Sequence, residues 1–488
     1  MVSCRTLSVL ILLWAQFATF QVVQAMDKFD WDQGRVFEKI DADFLAALEI
    51  SDEAATLKFE RLHLAAKAQL DELTRLACID VQCLRELESV QFQLASLAAA
   101  HPALLQQARD VVHLIRVRVL AASQAWQVSD AALHQALYRI IYGGRAAIEE
   151  ALVQSNQELD ALTKFSPVPS AAPSVMIQGV NVHSGDVLLS RGGAPTSALI
   201  ARGNPYPGQF SHVAMVYVDP VTEQPVVIEA LLESGVVLTS VEEYLGRTSL
   251  RILLLRLRSN DAVLTANPLA AHEAATYMYK KLKSEKLPYD FSMAWENDDG
   301  YFCSQVVYKA YKKMGVPLWA YKSKVKAKGL RRWLGQMGVR HFTMIIPSDL
   351  EYEPRLAPVA EWLKLDTLKD DRYDSAILDV LLDAAEQGYN LEYQWYQRIP
   401  GSVLKGVSVT KDMLGKEPKI PKGMSTDAAL RVHSLTEKVH PLLKASLKHK
   451  AGAFHQAKGY HAPYWQLLIM ARDSFDENKL ALRDYLHR

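Results

Sequence analysis

The chain has 488 residues, with 55 Lys+Arg balanced by 55 Asp+Glu and 49% hydrophobic residues. That length exceeds a single core and points to about three domains at roughly 150 residues each, while the composition excludes wholesale disorder. Zero net charge leaves no global field to gather nucleic acid, so no nucleic-acid partner is expected.

Residues 1–25 read as a signal peptide. Arg5 supplies a positive start, Leu7 to Phe20 is an apolar run of the right length, and Val23-Gln24-Ala25 offers small residues for cleavage. The run is short for a bilayer span of about 20 apolar residues. A periplasmic or secreted protein beginning near Met26 is therefore expected. Export removes Cys4 and leaves Cys78, Cys83 and Cys303. In an oxidising compartment the neighbours Cys78 and Cys83 are expected to pair, which makes Cys303 the odd thiol.

Residues 26–165 read as a helical domain. Leu133, Leu137, Ile140 and Ile141 share a helical face, with Ser129 or Asp130 to cap its start and Gly143-Gly144 to end it. No chemical motif occurs here, so packing, partner binding or peripheral envelope contact is the expected role. A linker follows at 166–178, where SPVPSAAPS is rich in Pro, Ser and Ala. The texture then turns to β, with branched or apolar runs at Val187 to Leu189, His212 to Val218, Val226 to Leu231, Val236 to Thr239 and Ile252 to Leu257. A helix at about 268–284 and another opening at Cys303 complete a domain predicted over 179–350. Residues 351–488 read as a C-terminal helical region.

Chemistry concentrates at three of these places. Val306, Val307, Ala310, Tyr311 and Met314 form one apolar face after Cys303, and Gly315 and Pro317 stop the helix. Cys303 thus falls in a first turn, where unpaired N–H groups and the helix dipole favour thiolate. His212 opens a strand and can face a neighbouring helix end, as an imidazole that activates a thiol must. Glu229 lies inside an apolar strand, where a carboxylate needs a partner. If Asp219 to Gln224 closes a hairpin with Val218 opposite Pro225, Ala214 faces Glu229 and His212 is its diagonal neighbour, and in a register two residues away His212 faces Glu229 directly. A one-residue slip separates them. Asp186 and Glu233 are the next acidic candidates. His272-Glu273 lacks the second His of a zinc helix, and Glu296 to Asp299 lacks calcium-loop spacing, so no metal or cofactor is expected. The basic stretch from Lys322 to Arg332 reads as a solvated face, with contact to anionic lipid or cell-wall polymer as the alternative.

Five runs occur in order: Gly185-Asp186-Val187-Leu188-Leu189; Ser211-His212-Val213-Ala214-Met215-Val216; Val227-Ile228-Glu229-Ala230, with Gly235-Val236 and Glu243-Tyr244-Leu245 after it; Pro288-Tyr289-Asp290-Phe291; and Tyr301-Phe302-Cys303-Ser304. The series resembles the YiiX/YaeF/YebB-like group of permuted, NlpC-type papain-like cysteine hydrolases, in which His precedes Cys. The resemblance implies an α+β, circularly permuted papain-like domain flanked by helical regions. It also implies an acyl-enzyme mechanism with Cys303, His212 and Glu229 as the triad. An amide or ester substrate follows, a peptidoglycan peptide or a lipid, with lipid acyl hydrolysis or transfer as the alternative activity. A non-catalytic envelope binding protein is a third reading, which an intact set of three residues argues against. Gln305 departs from the Glu expected in the Cys-Ser-Glu run, and is expected to touch the helix surface and leave the triad intact.

Overall fold

Branched and apolar runs in the middle third form strands because each can bury both faces, one under helices and one under a smaller ribbon. The computed structural model describes residues 35–76, 81–126, 129–155, 159–247, 249–394 and 423–488. The leader segment, Cys4, and Cys78 with its expected bridge to Cys83 lie outside the described residues.

The first part of the chain is helical: α1 (Arg35–Leu48), α2 (Asp52–Leu76), α3 (Val81–Ala100), α4 (Leu105–Ala122) and α5 (Ala131–Ser155). Asp130 caps α5, its Oδ1 accepting the N–H groups of Ala132 at 2.9 Å and Leu133 at 3.1 Å. Gly143-Gly144 does not end that helix, contrary to expectation. α5 runs through both glycines, and Gly144 allows close helix packing: a Cβ there would stand 2.5 Å from Gln91 Nε2 on α3 and 3.0 Å from Val112 on α4.

The next elements are β1 (Leu162–Lys164), β2 (Ser174–Ile177), β3 (Val180–His183), β4 (Val187–Gly192), α6 (Pro195–Arg202), β5 (His212–Val218), β6 (Pro225–Leu231), β7 (Gly235–Ser240), α7 (Val241–Gly246) and β8 (Ser249–Leu257). After α8 (Ala262–Ala266) come α9 (Ala270–Ser284), α10 (Cys303–Lys313), β9 (Ser323–Lys324), α11 (Lys328–Gln336), β10 (Thr343–Met344) and β11 (Leu356–Leu363). An antiparallel sheet has the order β1-β11-β8-β4-β5-β6-β7. Val187, Leu189, Val213, Met215 and Ile228 pack on one face against Val306 and Val307 of α10 and Ala274 of α9. Leu188, Ala214, Val216 and Val227 pack on the other face with Val180 and Val182 of the β2–β3 hairpin. Full burial of a Val-sized side chain is worth about 1.5–3 kcal/mol, so Val306 and Val307, both at 0% exposure, fix α10 firmly on β5.

Two predicted boundaries change. The sheet reaches back to β1 and forward to β11, beyond both ends of the span 179–350, and β2 occupies the expected linker. β11 also interrupts the region expected to be helical after 351. Pro358 and the bulge that follows it disguise this strand in the sequence. The chain then closes with α12 (Leu368–Glu386), α13 (Thr426–Ser434), α14 (His440–Lys458) and α15 (Tyr464–Leu482). Among the described residues no helix is long and apolar enough to cross a membrane.

Buried ion pairs tie the three parts together. Arg251 on β8, with a fully buried side chain, bonds Glu149 of α5 and lies 2.7 Å from Asp371 of α12. Arg191 of β4 takes the other oxygen of Asp371 at 2.9 Å. Arg116 of α4 reaches Glu351 at 2.8 Å and Glu361 of β11 at 2.5 Å, and Arg145 of α5 reaches the same two carboxylates. Burial pushes the Glu361 carboxyl up, but Arg116 and Arg145 outweigh it and hold the group at about 2.

Candidate active site

The β5–β6 hairpin has Val218 opposite Pro225 and Ala214 opposite Glu229. Alternation therefore places His212 and Glu229 on the same sheet face as Ala214 and Val227, with His212 at the first position of β5, where its ring reaches the start of α10. The diagonal contact is made: His212 Nε2 lies 2.8 Å from Glu229 Oε2. The loop before His212 is held from several sides. Gln209 donates to Glu149 at 2.7 Å and accepts from Arg145 at 3.0 Å, and the N–H of Ser211 bonds the carbonyl of Ser190 at 2.9 Å.

Glu229 is fully buried and saturated with donors. Thr239 Oγ1 and Arg247 Nη1 both reach Oε1 at 2.6 Å, while His212 occupies Oε2. Burial raises the carboxyl, but these three partners overcome it and hold it below its ordinary value. With Nε2 committed to the carboxylate, Nδ1 is the ring nitrogen available to a thiol.

Cys303 supplies that thiol. It begins α10 after the extended Phe302 and is 8% exposed. Burial raises the thiol, but the hydrogen bond and charge of His212, the N–H of Val213 and the Ser304 hydroxyl outweigh burial and bring it below its ordinary value. Burial likewise lowers His212, yet its bonds to Cys303 and Glu229 prevail and raise the imidazole to about 9. The pair thus favours thiolate and imidazolium. His212 keeps 22% of its side-chain surface exposed, so a substrate has access at the start of β5. As a first-turn residue Cys303 has no intrahelical acceptor for its N–H, which leaves a donor for an oxyanion.

The alternative acids serve elsewhere. Asp186 is gripped by Arg256 at 2.7 and 2.8 Å and accepts the N–H of His183, and Glu233 is exposed. Gln305 is not on the helix surface as expected. It is fully buried, its Nε2 donating to the carbonyls of Ala294 and Trp295 at 3.4 Å and Asn297 at 2.5 Å. Three carbonyls require a donor, which an ionised Glu lacks. Sequence reasoning missed Thr239, Arg247 and Tyr244, whose hydroxyl donates to Ser190 at 3.1 Å. Tyr244 had a signal in the Glu243-Tyr244-Leu245 run, whereas Thr239 and Arg247 had none. Among the described residues no group of three or more His, Cys, Asp or Glu is placed to hold a metal.

Residues 181–360 match the family described as permuted papain-like amidase enzyme, YaeF/YiiX, C92 family. Comparison with curated proteins finds no match. Among solved structures the chain is similar to metalloprotein yiiX from Escherichia coli O157:H7, at 22% identity and a TM-score of 0.29, covering 37% of this chain and 98% of that one. Residues 181–360 thus form a segment similar to the permuted papain-like amidases of the YaeF/YiiX, C92 family, which makes the chain a cysteine hydrolase of α+β fold.

Proposed function

We propose that the enzyme hydrolyses an amide bond through a thioester on Cys303, with His212 as acid and base and Glu229 as the group that orients it. The observation that carries this reading is His212, held at Nε2 by Glu229 at 2.8 Å and acting on the thiol of Cys303 at a helix start. In the first step the Cys303 thiolate attacks the carbonyl carbon, and the oxyanion takes the backbone N–H of Cys303. The imidazolium then gives its proton to the leaving nitrogen as the C–N bond breaks, and an amine departs. In the second step neutral His212 takes a proton from water, hydroxide attacks the thioester, and the thiolate leaves with the acid as product. Glu229 keeps Nε2 protonated throughout and stabilises the imidazolium.

Within this reading the substrate is a peptide amide of the cell wall. A lipid acyl group is the other possibility that the permuted fold serves. Trapping decides between them: incubation with peptidoglycan and phospholipid digests, then mass spectrometry of the protein, should show a peptide acyl adduct on Cys303. A fatty acyl adduct supports the lipid reading. No adduct in wild type, or turnover retained in Cys303→Ala, removes the mechanism. We further propose export, with the mature chain starting near Met26, on the strength of the apolar run Leu7 to Phe20 and the small residues ending at Ala25. Mass spectrometry of the protein from its native host should find that N-terminus. Retention of residues 1–25 would make the segment an anchor instead.

A further inference from the structure

The basic run from Lys322 to Arg332 does not stay together as one solvated face. Lys322 Nζ lies 5.1 Å from the Trp295 ring centroid, and Arg332 donates to the carbonyls of Ala385 and Tyr389 at 2.7 and 3.3 Å. Lys324 and Arg331 instead meet Arg340 and His341 around a concavity of about 380 Å³, with Thr343 on the wall and Glu296 as its one acidic lining residue.

This rim is built rather than incidental. β9 and β10 pair so that Lys324 lies opposite Thr343, and the N–H of Val325 bonds the carbonyl of Phe342 at 2.8 Å. Arg331 rests on the Phe342 ring, 4.6 Å from its centroid. Arg340 donates to the carbonyls of Gly335 and Val339 at 2.8 and 3.1 Å, and the N–H groups of Arg340 and His341 both bond the carbonyl of Ser292 at 3.0 Å. Among the described residues none of these four groups takes part in an ion pair. Lys324, Arg331 and Arg340 face one cavity whose lining has a single carboxylate, Glu296, so they repel one another, and an anion relieves that repulsion. A single carboxylate neutralises one of them. A phosphate answers several at once, and its oxygens match the guanidinium fork.

We propose that this concavity is a binding site for a phosphate group, held by Lys324, Arg331 and Arg340 with His341 as a further donor. The site flanks the reacting centre without including it. Gln305 ties the loop of Trp295 and Glu296 to α10, but residues two apart on a helix point to opposite sides, so Cys303 faces elsewhere. The phosphate can be that of a soluble molecule or of a lipid headgroup.

Calorimetric titration of the full chain with inorganic phosphate, and co-sedimentation with phosphatidylglycerol-containing or pure phosphatidylcholine vesicles, test this. Saturable, salt-sensitive phosphate binding is expected. It should weaken about tenfold or more in the double variant Lys324→Ala, Arg331→Ala, since each lost contact is a charged hydrogen bond. Sedimentation with phosphatidylglycerol that the variant loses identifies the headgroup as the source, and phosphate binding without sedimentation identifies a soluble one. An unchanged melting curve and unchanged Cys303 alkylation rate should show the variant folded. Binding of neither probe, equal binding by the variant, or acetate binding as tight as phosphate overturns the proposal.

Discussion

At Cys303 two opposed forces meet, and their balance sets how the site should respond to pH. Burial favours neutral thiol and neutral imidazole, while the mutual hydrogen bond and the Glu229 carboxylate favour thiolate and imidazolium. The charged forms prevail, so the pair should persist from the lowered thiol value up to about 9. Hydrolysis is expected to fall as acid protonates the thiolate, and to fall again as rising pH removes the imidazolium proton near about 9. The linkage has the same sign: the stability that His212 gains from its partners is fully present below its unfolded value of 6.5 and disappears as pH rises through about 9. Glu229→Gln should move the alkaline limb downward and lower kcat by about 10²- to 10⁴-fold. The amide has one acceptor oxygen where Glu229 uses two, so its NH₂ must confront His212 or the Thr239 and Arg247 donors. A pH–rate profile of both proteins checks this, together with iodoacetamide labelling of Cys303 below the roughly 8.5 of an ordinary thiol. An alkaline limb that Glu229→Gln leaves in place would exclude Glu229 as the orienting group.

Between residues and the whole, the elements that position this site were readable from sequence for a local reason. The hairpin of β5 and β6 has a short connection, so turn length and the period-2 pattern limit it to registers that keep His212 and Glu229 on one face, and of the two expected the one with Ala214 opposite Glu229 is formed. The start of α10 was equally legible, because its apolar face, Gly315 and Pro317 are all near in sequence. What escaped depends on distant parts of the chain. The β11 strand pairs with β8 about a hundred residues before it, and no local pattern announces that. Gly143-Gly144 reads as a helix stop by composition, and the approach of Gln91 and Val112 to Gly144 arises only in the folded chain. The same distinction applies to Arg247 and Thr239. Their contacts with Glu229 arise from the return of β7 and α7 to the sheet, not from any motif.

On the scale of the molecule, the helical regions are part of what makes the hydrolase domain fold. Within residues 181–360, Arg191 and Arg251 are buried on partners from outside, Asp371 and Glu149, and Glu351 is buried on Arg116 and Arg145. Each buried charge deprived of its partner destabilises by about 3–5 kcal/mol. Three such losses rival the entire stability of a domain, about 5–15 kcal/mol. If excision opens these groups to water, the penalty passes to apolar surface, since Ala198, Leu199 and Trp333 pack in one cluster with Ile377 and Leu381 of α12. The cut also removes β1 and the end of β11, leaving a hydrogen-bonding edge open to other chains. A fragment of residues 181–360 should therefore aggregate or lack a cooperative melt, although it spans the whole family match. The full chain should unfold cooperatively by calorimetry. A soluble fragment that melts cooperatively and keeps a low-pKa Cys303 would show that the sheet needs neither helical region, and the buried ion pairs would then serve only to join parts that are already folded.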